Sequence, residues 1–150
     1  MFTLQETPID PIKLRNTNTS FANGAFVNFE GIVRADDIGP ACRTGRSGSV
    51  NSLLYIADNP ACLQEGEKIL KETSLLFPIT EAVCVQRIGR LNVGETAIWI
   101  GVWSPHRDEA FKACRHIIEE VKKRLRIWKK EYLTDGSSVW AYGVESPLIQ

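Results

Sequence analysis

An apolar stripe along residues 105–125 constrains the fold more than any other feature of this sequence. Its members recur at the i, i+3, i+4, i+7 spacing of one helix face, and they are Ala110, Cys114, Ile117, Ile118, Val121 and Leu125. Ser104-Pro105 supplies a capping residue and a proline at the first helical position, and Asp108 and Glu109 suit the first turn. Because such a stripe must be covered, the rest of the chain has to supply another layer.

The remaining regular segments do not alternate strand and helix in a β-α-β order. Strand-like segments occupy residues 24–33, 50–57, 82–88, 97–103 and 127–132, with a short strand around Val139 and Trp140. A second long helix is predicted from Asn59-Pro60 to about Leu76, before Pro78. This order favours an α+β fold with a mainly antiparallel sheet and two long helices.

Residues 35–49 combine types that no regular element tolerates, namely Asp36, Asp37, Gly39, Pro40, Gly45, Gly48 and three Ser or Thr. They predict a long loop. The length of 150 residues suits a single domain spanning 1–150.

Charge and hydropathy exclude several classes of protein. Eighteen Lys plus Arg balance eighteen Asp plus Glu, and the pI near 6.7 gives no global field for nucleic acid or an anionic membrane. No window approaches the roughly 20 apolar residues of a membrane span, and the first residues do not resemble a secretory signal. We therefore expect a soluble, cytoplasmic protein.

The four cysteines, Cys42, Cys62, Cys84 and Cys114, are widely spaced and form no C-x-x-C pair. With only two His residues in the chain, a zinc set is not favoured. We expect small buried thiols in a reducing compartment.

Basic residues lie near both ends of the predicted helix 105–125. His106 and Arg107 fall in its first turn, where unpaired N–H groups favour a phosphate or carboxylate. At about 100° per residue, Arg107 falls within the apolar stripe and Lys122 at its border. We therefore expect Arg107 and Lys122 to enter one pocket, although Arg107 could instead pair with an acid at the core edge.

Residues 122–130, KKRLRIWKK, contain six basic residues in nine. Such a run is typical of a solvated helix end or of a nucleic-acid patch. If a strand continues from the helix, Lys129 and Glu131 share one face and Lys130 lies on the other. Lys129 and the Glu131 carboxylate would then lie in one site, and Lys122 could lie beside them.

These segments, taken in order, resemble the large, catalytic subunit of molybdopterin synthase. The matching residues are Ser104-Pro105-His106-Arg107-Asp108-Glu109-Ala110-Phe111, Lys122, Ile127-Trp128-Lys129-Lys130-Glu131, Gly31-Ile32-Val33-Arg34, Arg87-Ile88-Gly89-Arg90-Leu91 and Val93-Gly94-Glu95. The resemblance covers roughly residues 20–142. Its most specific part is S-x-H-R-x-x-A-F joined to K-x₆-K-x-E at this spacing.

The resemblance implies a hammerhead-like α+β fold and a sulfur-transfer reaction. In that family, cyclic pyranopterin monophosphate receives the two dithiolene sulfurs of molybdopterin from a small ubiquitin-like subunit that carries a C-terminal thiocarboxylate. The resemblance further implies a homodimer of large subunits within a heterotetramer. It implies neither a metal nor another cofactor in this step.

The resemblance also assigns site residues. Lys122 and Lys129 match the family's active-site lysines, Glu131 matches the acid that follows them, and Lys130 flanks the substrate. The full set expected to contact substrate is Ile32, Val33, Arg34, His106, Arg107, Lys122, Lys129, Lys130 and Glu131. Arg34, His106 and Arg107 are expected to share one anion.

This sequence departs from the family pattern at four places. Gln86 stands where the family usually has His, and Arg126 stands where a Pro is common. Residues 54–58 lack the usual acidic-aromatic ending, and the loop at 35–49 is longer than typical. Two alternatives therefore stay open: a non-catalytic relative that binds a ubiquitin-like tail, and a nucleic-acid-binding module that uses residues 122–130.

Overall fold

A computed structural model describes residues 1–35, 49–141 and 148 of the chain. Its strands are β1 (Phe2–Gln5), β2 (Ala25–Ile32), β3 (Val50–Ala57), β4 (Glu81–Arg87), β5 (Gly89–Asn92), β6 (Thr96–Ser104), β7 (Ile127–Leu133) and β8 (Ser138–Trp140). Its helices are α1 (Pro11–Arg15), α2 (Asn59–Leu76) and α3 (Arg107–Arg124). Most of the loop predicted at 35–49 lies outside the described residues.

The strands form two four-stranded sheets. Sheet one has the order β1-β4-β6-β2 and sheet two the order β5-β3-β7-β8. Within the described part of the chain, β1 and β4 are the parallel pair, and the other strand pairs are antiparallel. The prediction of an α+β fold with a mainly antiparallel sheet and two long helices is confirmed.

Sheet one is covered on both faces. The long helices α2 and α3 pack on one face through the apolar stripe of α3, where Ala110, Ile117 and Val121 are buried. The other face buries Trp99 and Trp103 against Phe26 of β2 and against Ile9 and Leu14 of the N-terminal segment. Because both faces exclude water, β6 is buried along nearly its whole length.

The helix starts differ slightly from those predicted. Helix α3 begins at Arg107 with His106 as its N-cap, and the His106 side chain makes no cap hydrogen bond. Ser104 cannot cap the helix because it still belongs to β6, where it pairs with Ala25. In α2 the N-cap is Asp58, one residue earlier than predicted, and its carboxylate accepts a hydrogen bond from Ala61 N at 3.4 Å.

Cys62, Cys84 and Cys114 are buried free thiols, as predicted for these three positions. Burial raises the pKa of the Cys114 thiol to about 11 and raises the pKa of Cys84 still further. Both thiols therefore stay protonated near neutral pH and act as small apolar side chains. Cys42 lies outside the described residues.

None of the helices within residues 1–35 and 49–141 combines the length and the apolar character that crossing a bilayer requires.

The contact between α2 and β1 depends on a glycine. Gly66 is buried in α2, and a Cβ at this position would overlap the Phe2 ring. Phe2 has little room to move because it is 3% exposed and its backbone N–H donates to Glu67 Oε1 at 2.6 Å. Gly66 thus allows the N-terminal strand to lie directly against the helix.

We predict that Gly66→Ala destabilises the protein, although Ala is the better helix former by about 1 kcal/mol. Overpacking against the Phe2 ring costs about 1–3 kcal/mol. After subtraction of the gain of about 1 kcal/mol in helix propensity, the free energy of unfolding should fall by about 1 kcal/mol, within a range of about 0–2 kcal/mol. Urea denaturation measures this change. Gln64→Ala, at an exposed position of the same helix, is the matched control and should lie within about 0.5 kcal/mol of the parent. Increased stability of Gly66→Ala would contradict this packing.

Candidate active site

A cavity of about 140 Å³ lies where the end of β2 meets the C-terminal end of α3. Three cations line it: Arg34 just after β2, Lys122 on α3 and Lys129 on β7. The other lining residues come from sheet strands or their ends, and they are Gly31, Ile32, Val33, Leu53, Tyr55, Gln86, Ala97 and Ile98. The cavity therefore offers several hydrogen-bond donors to an anion.

A second cavity, of about 250 Å³, adjoins the first. The two share four lining residues, Tyr55, Gln86, Lys122 and Lys129. The remaining walls of the second cavity are the apolar side chains of Val121, Leu125 and Ile127. The two lysines thus lie at a junction between a cationic compartment and a more apolar one.

A short connection between α3 and β7 brings the two lysines together. Helix α3 ends when Leu125 adopts an extended backbone, with φ of −77° and ψ of 137°. Strand β7 then begins at Ile127 and runs antiparallel to β3, with Lys129 opposite Tyr55. Because Val121 is buried against sheet one, the neighbouring Lys122 lies at the edge of the core and reaches the same cavity.

Lys129 is held by a buried carboxylate. Its Nζ lies 3.1 Å from Glu131 Oε1, and the side chains of Lys129 and Glu131 are 20% and 2% exposed. The two residues share one face of β7, as predicted from strand alternation. Glu131 lines neither of the two cavities, so its place in the site is beneath Lys129, where it positions the ammonium.

Lys130 points away from both cavities. Its Nζ lies 5.8 Å from the centre of the Tyr132 ring and 5.3 Å from that of Trp140, on the opposite face of sheet two. Lys130 therefore lines neither cavity within one chain, and its expected contact with substrate stays a prediction. Neighbouring strand residues face opposite sides, which is the physical reason.

His106 and Arg107 do not join the lysines in one chain. Arg107 and Lys122 occupy opposite ends of α3, and their 15-residue separation corresponds to about 22 Å at 1.5 Å per residue. His106 and Arg107 are exposed and line neither cavity. The prediction of one pocket containing Arg107, Lys122 and Lys129 is wrong for a single chain, and so is a single anion site shared by Arg34, His106 and Arg107.

The basic run 122–130 does not form one continuous surface. Acidic side chains pair with its middle members, as Arg124 with Glu65, Glu72 and Glu120, Lys123 with Glu120, and Arg126 with Asp58. Lys122 and Lys129 face the cavities, and Lys130 lies on the far side of the sheet. This dispersal does not favour a nucleic-acid patch, which needs cations on one face.

Gln86 and Tyr55 are lining residues that the sequence patterns did not identify as part of the site. Gln86 was noticed as a departure from the family pattern, but nothing local shows that it faces the lysines. Tyr55 reaches the cavity through the pairing of β3 with β7. Among the residues the structure describes, no group of three His, Cys, Asp or Glu is placed to hold a metal ion.

Sequence and structure comparisons identify the family. The MoaE protein family model matches residues 4–124, and the chain belongs to this family. A molybdopterin synthase catalytic subunit from Pyrococcus abyssi is 39% identical over 125 residues, covering 83% of this chain and 78% of the relative. One from Nostoc sp. is 35% identical over 140 residues, covering 93% and 80%.

Solved structures support the same fold. The crystal structure of molybdopterin synthase from Staphylococcus aureus gives a TM-score of 0.81 at 31% identity, covering 91% of this chain and 93% of that chain. A complex of subunits 1 and 2 of molybdopterin-converting factor from Helicobacter pylori gives a TM-score of 0.75 at 18% identity, covering 99% of each chain. The resemblance found in the sequence is confirmed, and the chain takes part in molybdopterin synthesis.

The Lys129–Glu131 pair should matter for stability as well as for the site. We predict that Lys129→Met lowers the free energy of unfolding by about 3 kcal/mol, because it leaves a buried carboxylate without its cation. Chemical denaturation measures the loss. Adding Glu131→Gln to Lys129→Met removes the uncompensated charge and should recover part of the stability.

Lys71→Met, at an exposed position of α2, is the matched control and should change stability by less than about 0.5 kcal/mol. If Lys129→Met were as stable as the parent, Glu131 would not depend on Lys129 for its charge compensation.

Proposed function

We propose that this chain is the catalytic subunit of a molybdopterin synthase. In the reaction, sulfur passes from the C-terminal thiocarboxylate of a small ubiquitin-like subunit to cyclic pyranopterin monophosphate. The observation that carries this proposal is the convergence of Arg34, Lys122 and Lys129 on one cavity. The Helicobacter pylori complex of subunits 1 and 2 supports a small protein partner by analogy.

The two compartments suit the two reactants. Phosphate and thiocarboxylate are both anions, and guanidinium and ammonium groups bind such oxygens with charge-assisted hydrogen bonds. We assign the phosphate of the pterin to the compartment that contains Arg34. The compartment walled by Val121, Leu125 and Ile127 suits an extended peptide tail, which presents few charges along its length.

We place Lys122 and Lys129 beside the atoms on which negative charge develops during the reaction. Sulfur transfer forms a bond from the thiocarboxylate sulfur to a carbon of the precursor, and a carbon–oxygen bond at that carbon breaks, with the oxygen leaving as hydroxide or as a phosphate oxygen. Water then attacks the acyl carbon, the acyl carbon–sulfur bond breaks, and the small subunit leaves with a carboxylate. The tetrahedral intermediate carries an oxyanion, which a positioned ammonium stabilises. We assign this role to Lys122, with Lys129 fixed beside it by Glu131.

Three buried thiols, Cys62, Cys84 and Cys114, support the further proposal that the protein works in a reducing cytoplasm.

We predict that Lys122→Ala reduces dithiolene formation by at least about a hundredfold, because removal of one oxyanion donor costs this much in comparable sites. Association with the small subunit should change by less than about fivefold, since an interface spreads its affinity over many contacts. The assay combines the protein, a thiocarboxylated small subunit and the pterin precursor. Normal turnover by Lys122→Ala would move the chemistry to Lys129.

Lys122→Arg separates two roles in the same assay. Arginine keeps the positive charge but does not deprotonate in proteins. Retained activity would indicate purely electrostatic stabilisation, and lost activity would indicate proton transfer or strict placement. Association without any turnover in the parent protein would favour a non-catalytic relative that binds the tail.

His106 and Arg107 can serve this cavity only from a second copy of the chain, because α3 separates them from Lys122 by about 22 Å. A homodimer is implied by the resemblance. We therefore propose that Arg107 of one copy helps bind the phosphate in the cavity of the other. A hydrogen bond between charged groups contributes about 1.5–3 kcal/mol, so Arg107→Ala should weaken precursor binding by roughly ten- to hundredfold.

Mixing two impaired variants, with the precursor well below its dissociation constant, tests this arrangement. Lys122→Ala and Arg107→Ala chains, refolded together, should regain roughly a quarter of the parent activity, because each mixed twofold dimer contains one intact site. Refolded Lys122→Ala alone and Arg107→Ala alone are the controls. If the mixture shows only the average activity of these two controls, Arg107 does not act in the cavity of a second copy.

A further inference from the structure

Gln86 is fixed in one orientation at the junction of the two cavities. It belongs to β4, is 6% exposed, and lies on the face of sheet one that α3 covers. Its Nε2 donates to Arg87 O at 2.8 Å and to Ala97 O at 3.0 Å. Because both partners are carbonyl oxygens, they can only accept, and the amide nitrogen is assigned by its contacts. These two hydrogen bonds use both hydrogens of the Gln86 amide nitrogen.

The carbonyl oxygen of Gln86 is left for the cavity. No residue in the described part of the chain donates a hydrogen bond to this Oε1. The enclosed polar atoms without a partner in that part are Asn23 Oδ1, Trp103 Nε1 and Glu109 Oε2, so Gln86 Oε1 is not sealed inside protein. Gln86 lines both cavities, and its oxygen is therefore open to a ligand there.

This oxygen differs in kind from the charged groups around it. Arg34, Lys122 and Lys129 can only donate hydrogen bonds. A ligand that carried only anionic groups would satisfy those cations and leave Oε1 without a donor. An acceptor that loses water on ligand binding and gains no donor costs free energy. The site thus favours a ligand that has a neutral N–H donor as well as an anionic group.

We propose that Gln86 Oε1 accepts a hydrogen bond from a ring N–H of the pterin and so selects donor-bearing heterocycles and orients the ring at the junction. This inference rests on the proposed function. A pterin ring carries several N–H groups along its edge, and its phosphate meets the cationic side of the first cavity. Gln86 is then a substrate-binding residue that determines specificity, and the lysines perform the chemistry.

The test compares ligands within each variant. Binding of cyclic pyranopterin monophosphate and of analogues with one ring N–H replaced by C–H is measured calorimetrically for the parent and for Gln86→Met. Methionine has similar length but accepts hydrogen bonds poorly. One analogue should bind the parent about three- to tenfold more weakly than the precursor, and this preference should vanish in Gln86→Met.

The preference is a ratio of two affinities in one variant, so partial unfolding from the lost bonds to Arg87 O and Ala97 O does not affect it. Gln86→His is the rescue variant, because a neutral imidazole at pH 8 offers one donor and one acceptor. It should retain the preference. It also keeps the test available if Gln86→Met does not fold.

An unchanged preference in Gln86→Met would overturn the inference and would indicate that Gln86 only anchors the backbone or an ammonium. If Gln86→Met does not fold, loss of the preference in Gln86→His would overturn it. If the parent forms dithiolene but never distinguishes the analogues, this inference fails and the proposed function stands. If the parent neither binds the precursor nor forms product, both fail.

Discussion

The structure depends on the packing of the apolar stripe of α3 across sheet one. This contact buries Ala110, Ile117 and Val121 and fixes the axis of the helix relative to β4 and β6. Burial of such side chains contributes roughly 1.5–3 kcal/mol each for the larger ones. Because Lys122 follows Val121 directly, the same contact determines where its ammonium can reach. The geometry of the site is therefore set by the core beneath it.

The site adds one electrostatic constraint to this apolar one. Glu131 is buried beside Lys129, and the same contact restrains the Lys129 side chain. A lysine normally moves among many rotamers, and holding it costs conformational entropy. Here the side chain loses this entropy when the protein folds, so it loses little more when substrate binds. Preorganised charge of this kind is what stabilises a transition state most effectively.

Much of the fold could be predicted from local patterns, but not all of it. Strand β3 and the end of α2 agree with prediction because a short run of mostly apolar residues marks the strand and Pro78 follows the last turn of the helix. Strands β1 and β5 were missed because each has only four residues, which are too few to show a period. The first residue of β5, Gly89, has a positive φ of 82°. A glycine in a sequence is more typical of a turn than of the start of a strand.

The positions of site residues that are close together in the sequence could be predicted. The positions of those that strand pairing brings in from distant segments could not. The joint position of Lys122, Lys129 and Glu131 follows from a helix that runs directly into a strand. Placing Arg107 with them relied on its angle around α3 and ignored its distance along the axis, which alone excludes a common pocket in one chain.

The shared wall between the two cavities has a kinetic consequence. In the arrangement proposed above, each reactant enters a different compartment, and the two reactants meet at the residues that line both cavities. The small subunit and the pterin therefore do not compete for space, and neither has to leave before the other binds. Such a layout allows the protein, the pterin and the small subunit to form a ternary complex for each sulfur that is transferred.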